Sequence, residues 1–440
     1  MKRLISLIFL CVSLIFCVAS ASGEAAIKLK ALEHAVRFQV TLPGENFVQV
    51  LLETDYDRDE ITLYSENGVF TGTLPLPGTF GKEKYTLTVY NLKNEELCSA
   101  KGKTVEASDS GVPAGTPADG TTSRVTNIFT SAEADGVHYS FTAPGRSTMV
   151  LKVRSASECH FIRVYAADAS YHYEGVVAMP CTFQDATITV TGLSGMNGSE
   201  LFSESFFNYV HFDPAPAKAE KGRLTGVTVC IDPGHQRQTQ IETVYTMPEN
   251  TGRTTTTTPG MAGGAATGRR ENIYTLEVGM KLRDLLLAEG ADVVMTREVM
   301  ETFVGMLERA DIPNNAGADF VLRLHTNAND DKTRQGINIY SPLSSVYAKA
   351  VADEATYREM GKILLKAMME KTGAPDGGVT LNNNYVGNNW SKMPSFLIEM
   401  GYFSNAEEDL KMNTEVYQNW LAEGMVEGVV RLAKFRGLID

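Results

Sequence analysis

Three stretches in the second half of the chain each bring a side chain that can bind a metal to the end of a hydrophobic element. His235 and His325 each follow a short apolar run of the strand type, and Glu271 begins a long helical pattern. Two histidines and one glutamate form a common catalytic zinc set, which leaves a fourth position for water. Glu399 ends a further apolar run, 394–398, and is suited to act as acid and base. These residues predict a zinc hydrolase site.

The elements around these residues predict an α/β domain over residues 225–438. Apolar runs alternate with helical patterns, which favours a three-layer domain with a mostly parallel sheet. The predicted strands lie near 226–231, 291–295, 319–324, 337–340 and 395–400, and the predicted helices near 271–289, 303–315, 354–371 and 415–435. Sites in such sheets form at the carboxyl ends of the strands. His235, His325 and Glu399 all occur at such ends.

Each candidate also has an ordinary structural explanation. A lone histidine after a strand is usually structural, and residues 232–235 could form a simple turn. Glu271 would also suit the helix dipole without binding a metal. The remaining histidines lie in the first half and lack partners at ligand spacing; they are His34, His138, His160, His172 and His211. The joint occurrence of His235, Glu271 and His325 in one domain favours the metal site.

The first residues have the pattern of a secretory signal peptide over 1–21. Lys2 and Arg3 precede an apolar stretch at 4–18, and Ala19-Ser20-Ala21 supplies a small-residue cleavage site. A retained membrane anchor is the alternative, but the apolar run is shorter than the roughly 20 residues that span a bilayer. We therefore expect a secreted or envelope-associated protein with no stable membrane anchor after cleavage.

Two N-terminal all-β, sandwich-like modules are predicted at 24–107 and 124–212. Both contain short strands that alternate polar and apolar residues, with Pro-Gly and other turn residues between them. The stretches at 108–123 and 213–224 are rich in small residues and proline and are predicted to be linkers. The whole chain is therefore expected to be multidomain.

The charge and cysteine content exclude some classes of function. The formal net charge is −13, from 40 basic and 53 acidic residues, which disfavours nucleic-acid binding through charge. No cysteine pair has the spacing of a zinc ribbon. Cys159 and Cys181 lie in one β module, where they could form a disulfide after export or remain two thiols.

The order of the motifs makes residues 225 to about 436 resemble the catalytic domain of the zinc-dependent N-acetylmuramoyl-L-alanine amidases, the Amidase_3 type. The matching segments are 231–235, Gly268 with Glu271, 285–297, 307–310, 318–328, Gly336 and 394–405. The resemblance implies zinc on His235, Glu271 and His325, with Glu399 catalytic. It also implies peptidoglycan as the substrate, cleaved at the amide between the lactyl group of N-acetylmuramic acid and L-Ala of the stem peptide.

Other parts of the resemblance are less specific. Arg297 and Arg309 are expected to support the structure or the ligands rather than to react. Asn327 either contacts the substrate or has a turn role. The usual short glycine-rich link after the first histidine is replaced by a longer insertion at 236–268. Such a loop beside a metal either gates the site or is a flexible addition.

Two other functions remain open from the sequence. A catalytically silent wall-binding or activator protein could have this fold. The absence of a metal ligand or of Glu399 would favour that function, but all four residues are present. A zinc peptidase acting on free peptides is the second alternative. The β modules could bind a wall polymer, dock a protein partner or space the enzyme from the surface.

Overall fold

The computed structural model divides the chain into two compact units, 1–209 and 210–440. The residues it describes are 14–15, 25–32, 35–54, 58–75, 84–103, 124–133, 136–146, 148–154, 159–167, 170–177, 186–194, 198–208, 214–236, 241–257, 260–300 and 302–440. The predicted signal peptide at 1–21 lies outside them apart from residues 14–15. The predicted linker at 108–123 and Cys181 also lie outside them, so the linker and the disulfide stay predictions.

The described part of the first unit consists of strands. They are Leu14–Ile15 (β1), Ala26–Leu32 (β2), Ala35–Thr41 (β3), Phe47–Glu53 (β4), Arg58–Tyr64 (β5), Val69–Pro75 (β6), Lys84–Tyr90 (β7), Glu96–Lys103 (β8), Thr126–Glu133 (β9), Gly136–Thr142 (β10), Thr148–Arg154 (β11), Cys159–Tyr165 (β12), His172–Val177 (β13), Ala186–Leu193 (β14) and Glu200–Asn208 (β15). Period-two alternation, as in β2 and β3, places one face of the strand in an apolar core.

These strands form three sheets over two separate apolar cores. The sheet orders are β1-β2-β3-β6, β13-β10-β9 and β15-β14-β11-β12-β5-β4-β7-β8. One core contains residues between Ala25 and Ala100, and the other contains residues between Val125 and Phe202. The eight-stranded sheet contains strands from both predicted modules, which meet where Cys159 pairs with Arg58. The predicted module boundaries therefore stay a prediction.

The second unit is an α/β domain. Its elements are Thr228–Pro233 (β16), Thr243–Tyr245 (β17), Thr254–Thr256 (β18), Glu271–Ala288 (α1), Asp292–Met295 (β19), Glu308–Ala316 (α2), Phe320–Asn327 (β20), Ile337–Pro342 (β21), Val346–Val351 (α3), Glu354–Thr372 (α4), Asp376–Asn382 (β22), Val386–Asn389 (α5), Ser395–Tyr402 (β23), Ala406–Met412 (α6) and Glu415–Phe435 (α7). No helix in the described part of the chain is both long enough and apolar enough to cross a membrane.

Its main sheet has six strands in the order β19-β16-β20-β23-β21-β22. The strands of each neighbouring pair are parallel except β21 and β23, which are antiparallel, so the sheet is mixed. On one face, α1 and α4 both pack against α7. The large core there includes Ile231, Leu322 and Ile398.

The opposite face of this sheet carries the polar residues. Alternation along each strand turns Asp232, Arg323, His325 and Glu399 away from the large core. The short α5 contacts β21 and β23, and α2 contacts α5. The polar face therefore has a lighter cover than the apolar face, which leaves room for a cleft.

Several predicted element boundaries differ from the structure. The helix predicted at 303–315 begins at Glu308, because the Met306 amide binds the Glu242 carboxylate and the Gly305 amide binds that of Glu308. Strand β22 was not predicted, since its glycine pair, 377–378, is typical of a turn. The short helices α3, α5 and α6 were also missed.

The predicted linker at 213–224 is partly packed on the second unit. Lys218 lies 2.6 Å from Asp292, and Arg223 lies 2.6 Å from Glu289 and 2.9 Å from Glu427. These contacts join the end of the segment to the start of β19, to the residue that follows α1, and to α7. The small residues and prolines of this segment predicted a linker, but its Lys218 and Arg223 form ion pairs with the domain.

Candidate metal centre

Three side chains from distant segments come together at the carboxyl ends of β16 and β20. His235 Nε2 lies 3.1 Å from Glu271 Oε2, and His325 Nδ1 lies 3.1 Å from Glu271 Oε1. One donor atom from each of the three residues lies within 4.8 Å of the others. Ligands at about 2.1 Å from a tetrahedral zinc are separated by about 3.4 Å, so this spacing suits one ion.

The turn that presents His235 requires an unusual backbone. His235 has a φ of 57°, in the left-handed region that few non-glycine residues adopt. Gly234 precedes it and donates its N–H to the Leu324 carbonyl at 2.8 Å. A Cβ on Gly234 would lie 2.4 Å from His325 Cε1 and 2.5 Å from the Leu324 oxygen. Only glycine lets the turn approach β20 this closely.

Arg297 connects the segments that carry two of the candidate ligands. This side chain is 4% exposed. Its Nη2 donates to the carbonyls of Gly234, at 3.0 Å, and Asn272, at 2.7 Å. Its Nε donates to the Pro233 carbonyl at 3.0 Å. Gly234 precedes His235 and Asn272 follows Glu271, so one guanidinium fixes the backbone beside both ligands.

A second cluster of charged side chains supports the same turn, residues 233–235. Arg309 donates to the carbonyls of Pro233 and His235, each at 2.9 Å, and also pairs with Asp232 at 2.6 Å. Arg323 pairs with the other oxygen of Asp232. Burial alone would raise the pKa of Asp232, but the two arginines and a hydrogen bond from Thr296 outweigh it and lower the pKa to about 2.

Glu271 is held by backbone donors as well as by the imidazoles. Its Oε1 accepts from the Thr326 N–H at 2.9 Å, and its Oε2 accepts from the Ala262 N–H at 2.8 Å. Burial alone would raise its pKa, but the hydrogen bonds to His235 and His325 hold the pKa well below its usual range. The carboxylate is therefore charged and fixed in orientation.

The surroundings of His325 favour its neutral form. Burial lowers the pKa of His325, although the neighbouring Glu271 carboxylate opposes that shift. A neutral imidazole has a free lone pair, which is the form that binds a metal. Burial of this ring therefore favours its ligand form.

Glu399 is beside this cluster on the neighbouring strand. It is the register partner of His325 across the β20–β23 pair. Its Oε2 is inaccessible and has no hydrogen-bond partner among the described residues. Burial, followed by the charge of Glu271, raises the pKa of Glu399 to about 8. A carboxyl with this pKa can take up and return a proton near neutral pH.

His235, His325 and Glu399 line a cavity of about 430 Å³. One wall comes from the 236–268 insertion, whose described part contains the β17–β18 hairpin and contributes Glu242 and residues 255–257. The other wall contains residues 384–387, in the segment before β23. The candidate metal ligands His235 and His325 and the acid Glu399 line the same cavity.

The hairpin is joined by hydrogen bonds to the segment 384–390. The Trp390 indole N–H donates to the Tyr245 carbonyl at 3.0 Å, and the Asn389 amide donates to the Thr246 carbonyl at 2.8 Å. A guanidinium N–H of Arg253 donates to the Asn384 carboxamide at 3.2 Å. The described part of the insertion is therefore built into the wall of the cavity.

Asn327 is not among the residues that line the cavity. Its Oδ1 accepts from the Ala328 N–H at 2.9 Å, and its side chain hydrogen-bonds Tyr340. Arg323 and Tyr385 also line the cavity, and neither was singled out as a site residue from the sequence. The signal for Arg323 was a charge between two leucines of an apolar strand; Tyr385 lay in a segment with no clear pattern.

The residues present fit a zinc ion. Two imidazoles and one carboxylate converge with spacing suited to one centre, and the chemistry of this donor set is that of a catalytic zinc site. Fixed backbone donors orient the Glu271 carboxylate, as outer contacts do in metal sites. Glu399 lines the same cavity as His235 and His325, which suits a carboxyl group that exchanges protons with water or substrate.

The second unit is similar to a family of known proteins. Residues 229–431 match the family model described as N-acetylmuramoyl-L-alanine amidase. The chain is 26% identical over 234 residues to N-acetylmuramoyl-L-alanine amidase LytC of Bacillus subtilis (strain 168), covering 52% of this chain and 41% of LytC. It is 27% identical over 210 residues to the probable cell wall amidase LytH of Staphylococcus aureus, covering 48% of this chain and 60% of LytH.

A solved structure is similar over the same half of the chain. The N-acetylmuramoyl-L-alanine amidase from Clostridium difficile 630 is 25% identical, with a TM-score of 0.39, covering 47% of this chain and 97% of that chain. This chain thus spans about half the length of the two named relatives. The match to the family model covers the segments that carry His235, Glu271, His325 and Glu399. The second unit of this chain therefore contains a domain of the N-acetylmuramoyl-L-alanine amidase family, the Amidase_3 type.

Proposed function

We propose that this protein is an exported, zinc-dependent peptidoglycan hydrolase, in the manner of an autolysin. It cleaves the amide between the lactyl group of N-acetylmuramic acid and L-Ala of the stem peptide. His235, Glu271 and His325 hold the zinc, and Glu399 transfers protons. The observation that carries this proposal is that His235 and His325, which converge with Glu271, line the same cavity as Glu399.

The reaction is the addition of one water across the amide. The water oxygen bonds to the carbonyl carbon, the C–N bond breaks, and the lactyl group leaves as a carboxylic acid. A zinc ion held by the three ligands would supply positive charge that polarises the water and the scissile carbonyl. Glu399 accepts a proton from the water and passes it to the departing nitrogen, which becomes the free amino group of L-Ala.

The neighbouring residues keep this arrangement in place. Arg297 and Arg309 position the His235 turn through its backbone carbonyls. The hairpin and residues 384–387 line the cavity in which the scissile bond would lie. Asn327 lies outside the cavity lining, so we propose that it contacts a part of the substrate that extends beyond the cavity.

Digestion of purified peptidoglycan tests the proposal. The wild-type protein is expected to release intact stem peptides whose new amino termini are L-Ala, identified by labelling and mass spectrometry. A chelator should abolish release, and added zinc should restore it. Glu399→Gln should bind zinc normally yet act roughly 100- to 10,000-fold more slowly, since it cannot accept a proton. Glu359→Gln, which changes an exposed acid on α4, is the matched control.

The alternatives give different results in this assay. A silent wall-binding or activator protein would bind zinc and release nothing above the Glu399→Gln background. A zinc peptidase would cleave free stem peptides that lack the sugar and would generate other amino termini. Either pattern would overturn the assignment of amide cleavage.

Export and wall association complete the proposal. The charged, apolar and small-residue order of 1–21 supports cleavage of a signal peptide and a location outside the cell or in its envelope. Mass determination of the mature protein from culture would test this, with Ser22 expected as the first residue. The first unit is expected to contact wall polymer or a protein partner.

A further inference from the structure

A cationic face occurs in the first unit, far in sequence from the candidate catalytic residues. Strands β2, β3 and β6 pack one side on an apolar core that includes Leu29, Phe38 and Phe70. Alternation turns Lys28, Lys30 and Arg37 to the other side, where all three are exposed.

The three cations lie next to one another. Lys30 is the register partner of Arg37 across the β2–β3 pair, and Lys28 is two residues from Lys30 on the same side. Two residues along a strand span about 6.8 Å. Thr73, which pairs with Arg37 on β6, and Thr71 add hydroxyl groups beside the guanidinium. The face therefore combines three positive charges with neighbouring hydrogen-bond donors.

Opposing charge is absent from these strands. None of β2, β3 and β6 contains an aspartate or glutamate. Among the residues that the structure describes, Lys28, Lys30 and Arg37 form no ion pair with a carboxylate. The three side chains, with Gln39 and the threonines, line a shallow cavity of about 440 Å³. This concentration of positive charge stands in a chain whose net charge is −13.

We infer that this face, defined as Lys28, Lys30, Arg37, Gln39, Thr71 and Thr73, binds a phosphodiester-linked anionic polymer of the cell wall. Fixed cations on a sheet suit a ligand whose negative groups repeat at short intervals, and the guanidinium can bind two phosphate oxygens at once. The location of this ligand in the wall rests on the proposed function. Its recognition rests only on the charges and geometry of the first unit.

Binding to purified wall tests this inference. The full chain carrying Glu399→Gln, which leaves the wall undigested, is titrated against wall that retains its phosphodiester polymer and against wall from which hydrofluoric acid has removed it. The triple change Lys28→Gln, Lys30→Gln and Arg37→Gln should weaken binding to the intact wall roughly tenfold or more at moderate salt, because three phosphate contacts are lost. The salt slope of the affinity should fall by about two.

A matched triple variant controls for net charge. Lys84, Lys101 and Lys103 are also exposed, and Lys84 and Lys103 are register partners on β7 and β8. Changing these three to glutamine removes the same charge and should leave binding unchanged. Lys28→Arg with Lys30→Arg keeps the charge and should retain binding, which excludes a folding defect.

Several outcomes would overturn the inference. Equal losses in both triple variants would mean diffuse attraction by net charge. A loss that persists on acid-treated wall would assign the ligand to peptidoglycan itself, and equal binding to anionic vesicles or nucleic acid would exclude a wall-specific site. In the Glu399-intact background, hydrolysis of a soluble muramoyl-peptide should be equal in wild type and triple variant. Failure of that hydrolysis in both would instead contradict the proposed function.

Discussion

Replacing Arg297 by methionine should weaken zinc binding without displacing any ligand side chain directly. The guanidinium donates to Pro233, Gly234 and Asn272, which flank His235 and Glu271. Methionine fills similar space but donates nothing, so the backbone beside both candidate ligands loses its common support. Loss of such an outer contact typically costs about 10- to 100-fold in metal affinity.

The stability cost follows from the same contacts. Four hydrogen bonds to oxygen from a buried charged group are lost, three to carbonyls and one to the Thr275 hydroxyl. The Pro233 carbonyl still accepts from Arg309, and the Gly234 carbonyl still accepts from the Thr275 hydroxyl. Because these acceptors stay partly satisfied, we expect about 2 to 4 kcal/mol rather than the full penalty of orphaned groups. Arg436→Met, which changes an exposed arginine at the end of α7, should alter neither quantity.

Zinc affinity is measured by competition with a chromogenic chelator, and the free energy of unfolding by urea titration of the metal-free protein. A lower free energy of unfolding with unchanged zinc affinity would refute the reasoning, because Arg297 would then support the fold without positioning the ligands. Partial recovery of affinity in Arg297→Lys, which keeps the charge but not the forked geometry, is expected.

Three further predictions concern the turn and the cavity wall. Because the pKa of Asp232 is lowered to about 2, its contribution to stability is present above pH 4 and is lost as pH falls toward 2; Asp232→Asn should remove this part of the acid dependence in urea titrations. Gly234→Ala should lower zinc content in metal analysis, since the new Cβ would force the His325 ring away, whereas normal zinc content would contradict the close approach. Trp390→Phe removes the indole hydrogen bond to Tyr245, so KM for peptidoglycan should rise more than kcat falls; a fall in kcat alone would contradict a wall role.

The sequence predicted the parts of the site that depend on regular elements. His325 and Glu399 were each predicted at the end of an apolar run, and parallel neighbours bring such ends to one edge, so their proximity could be expected. In the structure β20 continues to Asn327 and β23 to Tyr402. Glu271 begins α1 as predicted. These positions could be predicted because short stretches of sequence show the hydrophobic period and therefore the type of element.

Other features depend on tertiary contacts that the sequence pattern does not contain. The Asp232 cluster contains arginines from two separate elements, α2 and β20. The one indication of this cluster in the sequence was the charge of Arg323 within an apolar strand. The β17–β18 hairpin consists of threonine-rich segments without apolar alternation, and it is held by Trp390 and Asn389 from a distant segment. The joining of strands from both β modules in one sheet likewise depends on a single long-range pair.

The most direct test of the central claim is a diffraction experiment on zinc-loaded crystals at energies on either side of the zinc absorption edge. We expect one anomalous peak per chain within about 2.3 Å of His235 Nε2, His325 Nδ1 and a Glu271 oxygen, with Glu399 facing it. Zinc bound at full occupancy elsewhere, with no peak among these three side chains, would contradict the account.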